Sequence, residues 1–183
     1  ELDENKKEYS AETRISVEWV GAVGTYIVVV VLLFNFLFRV VNVNRQSRKD
    51  TIQNEDKVRL TNLFYEPKSG VVVVISRAQH FEELIIERVI ATEGQTLKID
   101  FNTGDVYVDG VLLDEPYIKT PTTDNEGGEI PEVIPEGYVF VMGDNRGNSL
   151  DSRSEQIGLI DKRNIIGKAQ YIVFPLDRIG GIG

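Results

Sequence analysis

The chain has 183 residues, a formal net charge of −9, no cysteine and one histidine. This length predicts one globular domain with room for an appendage, and the acidic balance argues against a nucleic-acid surface. The absence of cysteine excludes thiol nucleophiles, cysteine zinc sites and disulfides, while a single histidine disfavours histidine-rich metal sites.

An uncharged stretch near the N-terminus is the first predicted element. Residues 19–38 read WVGAVGTYIVVVVLLFNFLF, with Thr25 and Asn35 as the only clearly polar members. At about 1.5 Å per residue, a helix of this length crosses a hydrocarbon layer roughly 30 Å thick. We therefore predict an N-terminal tail at 1–18 and a transmembrane helix at 19–38. A buried central helix is the alternative, but so small a domain rarely encloses a helix that is apolar on every side.

The charges that flank this stretch favour one orientation. Residues 1–18 carry six acids and three bases, whereas residues 39–60 carry six bases and three acids. By the positive-inside rule, this asymmetry places the C-terminal domain in the cytoplasm.

The rest of the chain, residues 39–183, is predicted to be rich in antiparallel β-structure. Apolar runs and alternating patterns predict strands at 71–75, 85–91, 96–100, 138–142 and 169–174. The pair Asp109-Gly110 between two apolar runs predicts a hairpin turn, because both turn positions favour positive φ. Residues 120–137, rich in proline, glycine and acids, are predicted to be irregular, and residues 161–167 to form a short helix.

The densest polar cluster, residues 143–153 with the sequence GDNRGNSLDSR, directly follows the predicted strand 138–142. This composition suits a turn held by side-chain hydrogen bonds at a strand end. Gly143 and Gly147 are interpreted as positive-φ turn residues rather than as a phosphate cradle.

Two acidic residues of the cluster could suggest a metal site or an acid-base pair. Asp144 and Asp151 have Arg146 and Arg153 beside them in the sequence. Because these arginines can neutralise both carboxylates, we predict no metal there. A Ser-His-Asp triad would need His80, which stands in a polar stretch and is interpreted as a surface-loop residue.

The cluster resembles the Gly-Asp-Asn-Arg-Asp-Asn-Ser-x-Asp-Ser-Arg box of bacterial type I signal peptidases, with Gly147 at the central Asp position. Other segments resemble the same family in the same order: NLFYEPKSGVVVVIS, ERVIATEGQ, DVYVDGVLLDEPYI, GYVFVMGDNR and GLIDKRNIIGKAQYIVFP. The resemblance covers about residues 19–175.

This resemblance implies a β-rich catalytic domain outside the cytoplasmic membrane. Its partners would be the lipid bilayer and the signal peptides of exported preproteins, which it would cleave after small residues, and no cofactor is implied. The implied orientation is opposite to that favoured by the flanking charges. We expect the family orientation, because domains of this size translocate largely regardless of flanking charge.

The resemblance assigns the nucleophile to Ser47. In the family a Ser-Met-x-Pro-Thr segment supplies it, and here residues 47–51 read SRKDT, with Arg48 and Asp50 at the Met and Pro positions. Arg45 matches the polar residue that donates toward the oxyanion.

The general-base position differs from the family pattern. The segment ERVIATEGQ places Glu87 where the family has a lysine, followed by the matching Arg88. An unperturbed glutamate is a weak base with a pKa of about 4.3, although apolar burial raises that pKa. By resemblance, Ser149 would orient the base, and Asp151 and Arg153 would hold the loop as an ion pair. The resemblance assigns supporting positions to Arg45, Arg88, Asp144, Asn145, Arg146, Ser149, Asp151 and Arg153.

Three interpretations stay open. The first is an active endopeptidase with a Ser47–Glu87 pair, which requires the carboxylate to lie within hydrogen-bond reach and to have a raised pKa. The second is a membrane-anchored pseudoenzyme that binds leader-like peptides as an added strand. The third is an inactivated copy of an ordinary signal peptidase.

Overall fold

A computed structural model describes residues 11–37, 39–42, 57–61, 65–76 and 84–182. The chain divides into two structural units, Glu1–Phe38 and Arg39–Gly183. The first contains helix α1 at Ala11–Leu37. Within it, Val17–Phe34 has a mean hydropathy of 2.2 and no buried residues, so it is long and apolar enough to cross a membrane. The helix starts before residue 19 because residues 11–18 include good helix formers such as alanine and glutamate.

The second unit is built from antiparallel strands. Its described residues form β1 (Arg39–Asn42), β2 (Lys57–Thr61), β3 (Val72–Ile75), β4 (Ile85–Thr92), β5 (Leu97–Asp100), β6 (Asp105–Val108), β7 (Val111–Leu112), β8 (Tyr138–Met142), β9 (Ile160–Asp161), β10 (Ile165–Phe174) and β11 (Gly180–Gly181). The large sheet has the order β1-β2-β10-β3-β4-β8-β9, with β11 paired to β10, and β5-β6-β7 form a small sheet. The predicted mainly antiparallel β-structure, preceded in the sequence by one N-terminal apolar helix, is confirmed.

The strand predictions hold best where the apolar pattern is continuous. Strands β3, β4, β5 and β8 lie within about one residue of their predicted bounds, whereas β10 begins at Ile165 rather than at 169. The helix predicted at 161–167 is wrong in length and type. Only Lys162–Asn164 forms a 3-10 turn, capped by the Asp161 side chain, which accepts a hydrogen bond from Arg163 N. The β-branched residues that follow this turn extend into β10 instead.

The hairpin predicted at Asp109-Gly110 is confirmed. Both residues have positive φ, 52° at Asp109 and 77° at Gly110. The Asp109 carboxylate also accepts hydrogen bonds from Thr96 N at 2.9 Å and Gln95 Nε2 at 2.8 Å. The turn is therefore fixed by its side chain as well as by its backbone.

The chain between β7 and β8, residues 113–137, is called the excursion below. As predicted for 120–137, no residue of it belongs to a strand, and its only ladder-like contacts are isolated bridges such as Gly127 to Ser154. It makes side-chain contacts with the chain that follows β8.

Strand β4 lies at the centre of the core. It contributes Ile86 to one cluster of buried apolar side chains, Ile85 and Val89 to a second, and Ile90 and Ala91 to a third. A strand held by all three clusters is a rigid support for the polar side chains that it carries.

Candidate active site

Glu87 and Arg88 project from opposite faces of β4, because successive side chains of a strand alternate. Glu87 pairs across the sheet with Val73, and Arg88 lies between Val72 and Met142. Both polar side chains are buried, with Glu87 1% exposed and Arg88 3% exposed. The sheet therefore separates the candidate base from the arginine that follows it.

The Glu87 carboxyl group lies beside Gly143 and Ser149. A Cβ placed on Gly143 would be 1.7 Å from Ser149 Oγ and 2.8 Å from Glu87 Oε2. Only a residue without a side chain permits this approach. The structure thus brings together two residues that the resemblance assigned to the site, and it identifies Gly143 as the contact between them.

The interpretation of Gly143 and Gly147 as positive-φ residues is wrong. Neither is among the residues with positive φ, and a Cβ on Gly147 would meet only Thr120 Oγ1 at 3.7 Å. Close packing, not backbone conformation, requires glycine at position 143.

Residues 143–153, called the polar loop below, fold back onto the edge of β8. Ser152 N donates to Val141 O at 3.1 Å, and Val141 N donates to Ser152 Oγ at 3.0 Å. Within the loop, Asn148 N donates to the backbone oxygen of the half-buried Asn145 at 3.0 Å. These bonds continue the ladder of β8 without adding a strand.

Asp144 pairs with Arg88 and not with Arg146. Arg88 Nε donates to Asp144 Oδ1 and Arg88 Nη2 to Asp144 Oδ2, both at 2.8 Å. The third arm, Nη1, donates to Gly70 O at 2.8 Å, and the guanidinium lies 3.9 Å from the ring centroid of Tyr117. The expectation that the two loop arginines neutralise both carboxylates is therefore wrong for Asp144, because the register of β4 and β8 supplies Arg88 instead.

Arg146 turns instead toward the excursion. Its guanidinium forms an ion pair with Glu115 Oε1 and a hydrogen bond with Thr122 Oγ1. Its Nη1 also donates to Glu115 Oε2 at 3.2 Å, and its Nε donates to Gly143 O at 3.1 Å. One buried side chain thus joins the excursion to the polar loop.

Asp151 and Arg153 form the ion pair implied by the resemblance. Arg153 Nη2 lies 2.9 Å from Asp151 Oδ2, and both side chains are fully buried. Asp151 Oδ2 also accepts from Gly143 N at 2.9 Å, and Arg153 Nη2 donates to Arg146 O at 2.8 Å. The pair fixes the polar loop at both ends, which is a structural role.

Arg153 also holds the excursion. Its Nη1 donates to Asp124 O at 3.0 Å, and its Nη2 lies 3.1 Å from Glu126 Oε1. Burial raises the pKa of Glu126 to about 7; Arg153 opposes this rise, and Asp151 and Asp124 add to it. Glu126 therefore titrates near neutral pH.

The excursion residues that contact these arginines were not predicted. Glu115 and Tyr117 lie in a segment that resembles the family, but nothing in the sequence near them or near Thr122 points to their arginine partners, which are far away in the sequence. Burial also raises the pKa of Tyr117, with a further contribution from Glu115.

Arg45, Ser47 and His80 lie outside the described residues.

Comparison with known proteins identifies the family. Residues 16–174 match the family model of signal peptidase, peptidase S26. Signal peptidase I P of Bacillus subtilis subsp. natto is 31% identical over 176 residues, covering 89% of this chain and 91% of that protein. The probable signal peptidase I-1 of Synechocystis sp. is 37% identical over 148 residues, covering 75% of this chain and 71% of that protein.

A solved structure is also similar. It is a signal peptidase I from Enterococcus faecalis V583, with 25% sequence identity and a TM-score of 0.48, and the match covers 58% of this chain and 98% of that one. On the family-model match and the curated relatives, the chain belongs to the signal peptidase family, peptidase S26.

Proposed function

We propose that this chain binds the signal peptides of exported preproteins at the cytoplasmic membrane, with Ser47 as nucleophile and Glu87 at the general-base position. Family membership supports the substrate class. The observation that carries the assignment of Glu87 is its buried carboxyl group beside Gly143 and Ser149. Ser149 is the residue to which the family resemblance gives the role of orienting the base.

A carboxyl group at this position makes cleavage slow at neutral pH. Burial disfavours the ionised form, and a protonated carboxyl cannot accept the Ser47 proton. If the group ionises, it leaves negative charge near the oxyanion that forms on attack. Loss of a positioned general base costs about 10² to 10⁴ in rate, and an adverse charge near the oxyanion adds to that cost.

Binding without cleavage is the second candidate function, and the same carboxyl group favours it. A chain that retains the strands and the polar loop of the family, but not its lysine, keeps the frame for a peptide added as a strand. A chain inactivated at the chemical positions would behave in the same way toward a peptide. Both cases predict leader-peptide affinity with no turnover.

We further propose a single-pass arrangement in the cytoplasmic membrane. Residues 1–18 form a cytoplasmic tail, residues 19–38 the span, and residues 39–183 an extracytoplasmic domain. The apolar stretch Val17–Phe34 supports the span. Protease digestion of sealed vesicles tests the arrangement, because digestion of the tail and the β-domain from the same side contradicts it.

The β-domain carries an exposed apolar surface suited to the bilayer. Its members are Tyr171, Phe174, Leu176 and Ile179, which are between 45% and 77% exposed. Lys57 Nζ lies 5.2 Å from the Phe174 ring centroid, so a cation accompanies the aromatic side chain. Aromatic and basic side chains together suit the interface of an anionic membrane.

Cleavage of a leader peptide that ends in Ala-x-Ala tests the proposed chemistry. The full chain in detergent is expected to bind the peptide and to cleave it very slowly or not at all. Glu87→Lys is expected to restore part of the activity, limited by Arg45, Arg48 and Asp50, and Ser47→Ala is expected to abolish what is restored. Fast cleavage by the unmodified chain that survives Ser47→Ala contradicts the placement of the nucleophile.

A further inference from the structure

The excursion is joined to the polar loop by a buried contact around Arg146. Glu115 presents both carboxylate oxygens to the Arg146 guanidinium, and Thr122 presents its hydroxyl oxygen. Exposure is 1% for the Arg146 side chain, 7% for that of Glu115 and 0% for Thr122. Because these side chains are buried, a carboxylate that accepts from two nitrogens of one arginine fixes the plane of its guanidinium.

The same guanidinium reaches the candidate site. Arg146 Nε donates to Gly143 O at 3.1 Å. Gly143 is the residue whose α-carbon leaves no room for a methyl group against Ser149 Oγ and Glu87 Oε2. A change in the Arg146 orientation therefore acts on the residue whose lack of a side chain leaves room for Glu87 and Ser149.

Tyr117 fixes the carboxylate that holds Arg146. Its hydroxyl donates to Glu115 Oε1 at 2.9 Å, and its ring stacks on Arg88 at 3.9 Å. Because Arg88 is paired with Asp144, the next residue after Gly143, Tyr117 also reaches the polar loop through Arg88. Glu115 accepts hydrogen bonds from both Tyr117 and Arg146.

We propose that Glu115, with Thr122, is a positioning residue of the Glu87–Gly143–Ser149 site and acts through Arg146. This inference rests on the proposed function for the identification of Glu87 and Ser149 as an active site. The contacts from Glu115 to Gly143 through Arg146 do not depend on whether the chain cleaves peptides. Without Glu115, the guanidinium loses its two-point partner and its hold on the Gly143 carbonyl. Gly143 then no longer packs tightly, and water reaches the Glu87 carboxyl group.

The test is the infrared carboxyl band of Glu87 in the full chain in detergent micelles, identified by its loss in Glu87→Gln. Glu115→Gln and Thr122→Val are each expected to lower the pH midpoint of this band, because solvation favours the ionised form. Thr122→Val matters because it removes a contact to Arg146 without changing any charge. If Glu115→Gln does not unfold cooperatively, Thr122→Val alone decides the test.

Two control variants separate positioning from charge and from stability. Glu129→Gln makes the same charge change at an exposed residue of the excursion, and Ile134→Val weakens the packing of the excursion at a buried residue. Both are expected to leave the midpoint unchanged. An unchanged midpoint in both Glu115→Gln and Thr122→Val overturns the inference, as does an equal shift in the two controls.

Leader-peptide binding, measured separately by fluorescence anisotropy with a labelled Ala-x-Ala peptide, tests the proposed function. If the unmodified chain does not bind the peptide, the proposed function fails, and the infrared result still decides the role of Glu115. If the peptide binds and the midpoint does not move, only the positioning role fails.

Discussion

The Arg88 guanidinium and the Asp144 carboxylate form a two-point ion pair on the face of β4 opposite to Glu87, with both hydrogen bonds at 2.8 Å. Asp144 follows Gly143 directly, so this ion pair helps to fix the position of the polar loop. Because the pair lies on the other face of β4, it takes no part in chemistry at Glu87. Arg88 Nη1 also donates a hydrogen bond to Gly70 O, and the guanidinium lies over the Tyr117 ring. The ion pair anchors the start of the loop to β4, in which seven of eight residues are buried.

Asp144→Asn is expected to destabilise the fold strongly. The substitution keeps the shape but removes the negative charge of the two-point partner of Arg88, which is only 3% exposed. Breaking one side of a buried pair costs about 3 kcal/mol. Denaturant unfolding measures the loss, with Asp161→Asn as the matched control, because Asp161 pairs with Arg163, which is 88% exposed. A loss for Asp144→Asn no larger than that of the control contradicts the assigned role.

Gly143→Ala is expected to lower stability by about 1 to 3 kcal/mol, because the new methyl group overlaps Ser149 Oγ and Glu87 Oε2. Gly147→Ala is the control, since a Cβ there meets only Thr120 Oγ1 at 3.7 Å. In a double-mutant cycle, Ser149→Gly should relieve part of the cost of Gly143→Ala. Simple additivity of the two changes would show that the methyl group does not collide with Ser149.

Glu126 is expected to make stability fall as the pH rises. Its pKa is about 7 in the folded chain against an ordinary value of 4.5, mainly because burial favours the neutral form. Between these two pH values the folded state binds more protons than the unfolded state, so the free energy of unfolding decreases as pH increases and then levels off above about pH 7.

Glu126→Gln tests this sign. The variant should unfold at nearly the same denaturant concentration as the unmodified chain at about pH 4, where the folded and the unfolded chain both hold most of the proton. It should be the more stable of the two at about pH 8. Glu129→Gln, at an exposed position of the same excursion, is expected to show no such gain in stability over the unmodified chain as the pH rises. A Glu126→Gln variant that is less stable at the higher pH would mean that Arg153 outweighs burial.

The parts of the fold that were predictable have local causes. The hairpin at Asp109-Gly110 follows from two residues that accept positive φ, and β4 follows from a continuous apolar run. The helix expected at 161–167 failed because hydrogen bonding across the sheet outweighed the local preference, and residues from Ile165 onward joined β10. The local sequence pattern does not reveal that the strand pairing of β10 competes with the helical preference of these residues.

The site was predictable only in its residue types. Family resemblance selected Glu87 and Ser149, but their meeting at Gly143 depends on the register between β4 and β8. The partner of Asp144 is Arg88, 56 positions away, and not an arginine of its own loop. Glu115, 31 positions from Arg146, lies in a segment that resembles the family, but a single glutamate there gives no indication of its partner and matches the expected solvated surface.

The pH dependence of cleavage is expected to differ between the unmodified chain and Glu87→Lys. A carboxylate base acts only when ionised, so the slow cleavage by the unmodified chain should rise through the titration of a carboxyl group and then stay constant. An amine acts only when neutral, so kcat/KM of Glu87→Lys should rise through the titration of an amine, whose ordinary pKa of about 10.4 is lowered by burial. Measurement from about pH 4 to about pH 10, with Ser47→Ala as the background at every pH, separates the two profiles. Glu87→Gln, which removes the titratable group, should lose the rise, and a Glu87→Gln profile that keeps the midpoint of the unmodified chain would mean that the group at position 87 is not the base.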